Sequence, residues 1–191
     1  MLHPSLKGKF LIATPELCDP NFAEVVVLIC EHNSKGAFGL IINRKSTIRA
    51  KANFEAISQY PDHAWITHQD VYIGGPVHTN QVLILYRSEN LLSENVIVDD
   101  VALATNLTDL PSLNLFENGK EKLHMYLGCS GWSENQLESE IEMGTWKVLS
   151  SKTDMIFDMQ PARVWKQNLS RLGGKYSILA LMPDSENIIR N

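Results

Sequence analysis

The run Val25-Val26-Val27-Leu28-Ile29-Cys30 constrains this chain more than any other feature, because it offers apolar side chains to both faces of whatever strand it forms. A strand with one wet face alternates, and this one does not. Val25–Ile29 is therefore predicted to be a central strand covered from two sides. Lys9–Ala13 reads as an earlier strand, stopped at Thr14-Pro15, since proline lacks an amide donor and restricts the residue before it. After the turn-rich Asp19-Pro20-Asn21, the valine run leads through a polar loop from His32 to Gly36. Ala37–Asn43 then forms a further strand, giving a hairpin with a loop longer than two residues. Gly39 inside that strand signals a bend or a close backbone approach.

The rest of the chain mixes strand pairs with strand–helix steps. Arg44–Lys51 reads as a polar, basic connection and Asn53–Gln59 as a short helix stopped by Pro61. Val71–Ile73 and Val82–Tyr86 read as strands on either side of a Gly74-Gly75-Pro76 turn. Val96–Val98 and Val101–Ala104 flank Asp99-Asp100 as edge or rim pieces, Thr108–Phe116 holds a short helix, and Leu123–Leu127 is another strand. Ser133 and Gln136 have the spacing of a capping box, which predicts a helix over Ser133–Met143 with Ser133 at its cap. Leu137 and Ile141 lie on its buried face, and Gly144 ends it in a left-handed conformation. A last helix opens near Pro161, carries Trp165, Leu169 and Leu172 at i, i+4 and i+7, and stops at Gly173-Gly174. Ser177–Leu181 is expected to return as a strand. Without repeats or a flexible linker, residues 1–191 read as a single α+β domain with a mixed sheet.

Charge and cysteine usage narrow the function. Twenty-two acidic side chains against seventeen basic ones leave a net charge of −5, which repels polyanions and makes a nucleic-acid partner unexpected. Cys18, Cys30 and Cys129 are odd in number and form no C-x-x-C pair, so neither a disulfide framework nor a thiolate zinc site is expected, and a reducing cytoplasm fits. The apolar stretch before Leu17-Cys18 is too short for a signal peptide, and the valine run falls far below the ~20 residues of a membrane-spanning helix.

Several segments carry the pattern of a known family. They are Asp19-x-x-Phe22, Glu31-His32, Gly36-Ala37-x-Gly39-Leu40 with Asn43, Gly74-Gly75-Pro76-Val77, Gly131-Trp132 with Gln136-Leu137-Glu138-x-Glu140, Trp146, and Ile156-Phe157-Asp158. Together they resemble the YqgE/AlgH family of bacterial proteins, over most of the chain from about Lys7 through Trp165. The resemblance implies a bent, branched sheet curled into a pseudo-barrel with helices packed outside. It also implies an indirect link to transcription, and it assigns no activity to individual positions.

The chemistry-bearing residues must then be weighed one by one. Cys129 and Ser130 occupy the place of a nucleophile between a strand and a helix, but Gly128-Cys129-Ser130-Gly131 is not G-x-S-x-G, and an unpaired cysteine is commonly a small apolar residue. Glu31-His32 offers an acid/base pair, yet adjacent strand residues point to opposite faces, which favours a hydrogen-bonded anchor. His63, His68 and Asp70 match no metal-ligand spacing. Gly74-Gly75-Pro76 lacks the Lys-Ser/Thr of a phosphate loop and reads as a tight turn. Trp132 beside a glycine is either an exposed recognition platform or a core tryptophan, and Glu134, Glu138 and Glu142 form a like-charge row suited to a basic partner or to solvent. The expected protein is a non-enzymatic cytoplasmic binding or regulatory module for a small molecule or protein, with no cofactor, no metal and no membrane. Its site is assembled from Glu31, His32, Gly75, Gly131, Trp132 and Gln136 on one concave surface. The alternatives are a hydrolase or transferase using Glu31, His32 and Ser130, and direct DNA binding through Arg44–Lys51.

Overall fold

The computed structural model describes residues 4–49, 70–88, 95–106, 110 and 123–182. Within them the strands are β1 (Lys9–Ala13), β2 (Val26–Asn33), β3 (Gly36–Ile41), β4 (Lys45–Arg49), β5 (Asp70–Ile73), β6 (Val77–Arg87), β7 (Val96–Val98), β8 (Val101–Ala104), β9 (Leu123–Ser133) and β10 (Trp146–Ser150). The helices are α1 (Gln136–Glu142), α2 (Thr153–Phe157), α3 (Pro161–Leu172) and α4 (Gly174–Ala180). The strands form one mixed sheet in the order β10-β1-β2-β3-β9-β6-β8-β7, and it branches at β9. The C-terminal half of β9 pairs antiparallel with β3, its N-terminal half pairs parallel with β5, and β6 runs antiparallel along its other edge. β4 adds to β5. The far end of the sheet curls back toward β1: a Cβ on Gly8 would lie 2.9 Å from the Ile97 carbonyl oxygen, and Thr153 Oγ1 donates to Asp100 Oδ1 at 3.0 Å. The result is an α+β half-barrel.

The valine run does what its composition requires. β2 lies between β1 and β3, and Val26 through Ile29 are all 0% exposed. Phe10, Ile12, Val26, Leu28, Leu40 and Ile42 pack on one face with Met155, Ile156, Val164, Trp165 and Leu169 of α2 and α3. Leu11, Val27, Ile29 and Ile41 pack on the other with Trp132, Leu137 and Trp146. The Trp165 indole fixes α3 by donating to the Ala13 carbonyl at 2.8 Å.

The link Gly74-Gly75-Pro76 explains the branch. β5 and β6 flank opposite edges of β9, so this link must step across it. A Cβ on Gly75 would sit 2.4 Å from Cys129 backbone atoms, one on Gly74 2.2 Å from the Gly128 carbonyl oxygen, and one on Gly128 2.7 Å from the Gly75 oxygen. Gly75 and Gly128 also hold φ of +153° and +68°, which a side chain disfavours. Gly39 likewise has no room, with a Cβ placed 2.5 Å from the Leu28 oxygen.

Five expectations are corrected. Ser177–Leu181 is not a strand: residues 174–180 form α4, because Gly173 and Gly174 (φ +76° and +54°) reverse the chain and Tyr176, Leu179 and Ala180 turn to the core at helical spacing. The β2–β3 loop is only Ser34-Lys35, since β2 continues past a bulge at Cys30 through Glu31, His32 and Asn33. Part of the basic connection is strand β4, and Lys45 pairs with Asp70 at 2.6 Å. Ser133 is held extended by its pairing with Gly36, so α1 starts later, at Gln136, after a left-handed Asn135 (φ +60°). Gln136 still reaches back, its Oε1 accepting from the Ser133 N–H at 3.0 Å. Finally, Cys129 and Ser130 lie inside β9, not between a strand and a helix. Gly144 does close α1, at φ +82°. The expected helix over 53–59, with His63 and His68, lies outside the described residues, as does all of the one expected over 108–116 except Leu110.

Gly128→Ala should destabilise by at least about 2 kcal/mol, since it adds left-handed strain to a backbone clash. Urea unfolding of the variant against the parent chain measures this.

Candidate functional site

The register sorts the candidate residues onto two faces. His32 lies opposite Ala37, which lies opposite Trp132, and residues paired in this way share a face. Glu31, Phe38 and Gly131 form the neighbouring row and present the other face. The structure thus brings His32, Trp132 and Gln136 together beside α1, and Glu31 with Gly131 on the opposite side. Gly75 is buried against the Cys129–Ser130 backbone between them.

On the α1 side the polar groups are bound to one another. His32 Nδ1 accepts from the Leu6 N–H at 2.9 Å, so the proton resides on Nε2, which donates to Glu138 Oε1 at 2.8 Å. Trp132 is 7% exposed and is a core tryptophan, not a platform. It stacks on Phe22 at 6.4 Å and meets the edge of Trp146 at 5.9 Å. Both indoles donate to Glu140 Oε2, at 2.9 and 2.8 Å, while Gln136 Nε2 donates to Glu140 Oε1 at 2.9 Å. Glu140, which in the sequence stands out only as part of the family pattern, is the acceptor that gathers these donors, and its spacing from Trp132 and Gln136 is the signal for it. Phe22 reaches the cluster because Asp19 accepts from the Asn21 N–H and caps the short 3-10 turn at Pro20–Phe22.

The nucleophile candidates are similarly committed. Ser130 is fully buried and its hydroxyl donates to the Gly74 carbonyl at 3.1 Å, tying the crossing link to β9. Burial pushes the Cys30 thiol far up and raises that of Cys129 as well, which suppresses the reactive thiolate. Arg44, its pKa lowered by desolvation, donates to the Asn21 and Ala23 carbonyls at 2.6 and 3.3 Å. Among the described residues no group of three His, Cys, Asp or Glu side chains could hold a metal ion.

The opposite face is different. Beyond Gly131 in the same direction lies Val77, 37% exposed, whose Cγ2 would be 3.8 Å from a Cβ on Gly131. β6 then leaves its register with β9 between Val77 and Val82, and the exposed His78, Thr79, Asn80 and Gln81 line an open depression of about 500 Å³. Sequence reading missed this segment, which carries no motif. Glu31, exposed, has one described partner, Asn33 Nδ2 at 2.6 Å. A strip running Glu31, Phe38, Gly131, Val77 therefore leads from an anionic end, over an apolar middle, to a polar depression.

This geometry, a branched half-barrel closed by glycine contacts with its polar groups turned into structural bonds, defines a class for which known proteins give a match. The AlgH-like family model matches residues 10–177. The AlgH protein of Pseudomonas aeruginosa is 34% identical over 177 residues, covering 91% of this chain and 92% of its own. A relative from Cytophaga hutchinsonii is 33% identical over 182 residues, covering 93% and 95%. The solution structure of Pseudomonas aeruginosa AlgH aligns with a TM-score of 0.70 at 32% identity, over 96% of this chain and 98% of that one. A Corynebacterium diphtheriae protein aligns at 0.72 and 21% identity over 94% and 93%, a likeness of fold. The chain belongs to the AlgH-like family. Among the described residues no helix is long and apolar enough to cross a membrane.

Trp132→Ala should cost about 3–5 kcal/mol, as a core aromatic does, and Glu140→Leu about 1–3 kcal/mol for each orphaned indole donor. Both are read from denaturant unfolding. At about pH 8 a thiol reagent should modify exposed Cys18 quickly, whereas Cys30 and Cys129 should react only on unfolding. Mass spectrometry of the native labelled chain checks this.

Proposed function

We propose that this chain is a non-enzymatic cytoplasmic binding module whose contact surface is the strip Glu31, Phe38, Gly131, Val77 with the His78–Gln81 depression. Any effect on transcription then passes through its partner. Gly131 carries the reading. Alone among the described glycines it has neither a positive φ nor a backbone atom crowding its missing Cβ. Fold geometry does not require a glycine there, and the bare backbone leaves a gap between Phe38 and Val77 that a bound group can enter. The neighbouring uncharged polar side chains supply donors and acceptors, as recognition surfaces do.

Of the six residues expected from sequence to form the site, Glu31 and Gly131 belong to this surface. His32, Trp132 and Gln136 support it from behind through α1, and Gly75 holds the strand crossing beside it. The hydrolase reading is disfavoured because His32 and Ser130 are already engaged with Glu138, Leu6 and Gly74. Direct DNA binding is disfavoured by the net charge of −5 and by the engagement of Arg44 and Lys45 with protein groups.

Backbone amide spectra recorded with peptide, nucleotide and duplex-DNA probes test the proposal. Saturable shifts should centre on residues 77–81 and 131. Shifts centred on residues 44–49 that vanish steeply with salt would instead mark a phosphate-binding surface and overturn it.

A further inference from the structure

The strip has a length, a charge order and a floor, and together these select one kind of occupant. Glu31, Phe38 and Gly131 occupy successive strands, and strands lie about 4.8 Å apart, so Glu31 and Gly131 are separated by roughly 10 Å. An extended polypeptide places same-face side chains about 6.7 Å apart, and a lysine or arginine stem covers the remainder. The gap over Gly131, flanked by Phe38 and Val77, accepts a small apolar side chain. The exposed Glu31 carboxylate accepts a cation.

Resting on the binding reading above, we propose that the occupant is an extended segment of another polypeptide. It seats a small apolar residue over Gly131 and a lysine or arginine, two residues away, at Glu31. The amides of Asn80 and Gln81 each donate and accept, as a peptide backbone does, and neither makes a hydrogen bond within the described residues. Polyanions fit less well, because Glu31 and the chain's net charge of −5 oppose them.

The probe is a terminally blocked nonapeptide of serine and threonine that carries one valine and, two residues on, one arginine. Its counterpart has glutamate in place of arginine. Amide spectra should show saturable shifts at Glu31, Val77–Gln81 and Gly131 with the arginine peptide, and roughly threefold weaker binding of the glutamate peptide, as for an exposed ion pair. Glu31→Gln should erase that preference. Gly131→Leu should abolish binding of both peptides without lowering the thermal transition or disturbing the remaining amide spectrum. The assignment falls if the peptide shifts are absent, or are unchanged by both Glu31→Gln and Gly131→Leu. If a nucleotide or duplex instead gives shifts that Gly131→Leu removes, the strip stands as a binding surface and the polypeptide assignment fails. If no probe moves the strip, both readings fail.

Discussion

β9 can carry neighbours on both edges and along its whole length because the chain between β5 and β6 passes over it at backbone contact distance. That crossing needs Gly74, Gly75 and Gly128 at once, since a methyl group on any of them would meet main-chain atoms under 3 Å away. The Gly74 carbonyl accepts from the Ile41 N–H at 2.9 Å and from the Ser130 hydroxyl at 3.1 Å, which ties the crossing link to β3 and β9 and gives the buried hydroxyl its partner. The branch then lets β3 and β5 share one edge of β9 while β6 and β8 extend the other. The crossing adds the β4–β5 branch to a sheet that already runs from β3 through β9 to β6.

What the sequence made legible was what depends on local pattern. The unbroken apolar run of β2, the 3.6-residue spacing of α3 and the glycine that closes α1 are each specified within a few neighbouring residues, and each was found as expected. Elements settled by distant pairing were not. Ser133 has a cap's chemistry but is claimed by Gly36, 97 residues earlier in the chain, and the hydrogen-bonded sheet overrides the local preference. α4 read as a strand because Ser177-Ile178-Leu179-Ala180 is short and apolar, and periodicity over four residues cannot separate a half-covered helix from a strand. The candidate site divided for a related reason. Strand neighbours point to opposite faces, so Glu31-His32 and Gly131-Trp132 each straddle the sheet, and a motif contiguous in sequence serves two surfaces.

One surface is given over to folding. The carboxylates of α1 looked like a solvated or partner-facing row, yet Glu138 accepts from His32 and Glu140 from two indoles and Gln136. Such bonds to a charged acceptor are worth more than neutral ones, and their loss orphans donors that lie within a largely apolar cluster. They fasten α1 across β2, β9 and β10, and the opposite faces of β2 and β9 carry Glu31 and Gly131. A tryptophan beside a glycine is therefore weak evidence for a binding platform here, because its hydrogen-bond partner lies on the helix that covers it.

The glycines separate folding from recognition more sharply than the charged residues do. Gly36, Gly39, Gly74, Gly75 and Gly128 are explained by close approach, and Gly144, Gly173 and Gly174 by a left-handed backbone, so each is accounted for by the fold. Gly131 meets neither requirement. In the interior of a strand a glycine loses more entropy than any other residue and contributes no packing, a cost on the order of 0.5–1 kcal/mol relative to alanine. The proposed recognition role gives this bare backbone a use, because Glu31 and Phe38 share its row, Val77 lies beside it, and the polar depression at His78–Gln81 follows Val77 in the chain.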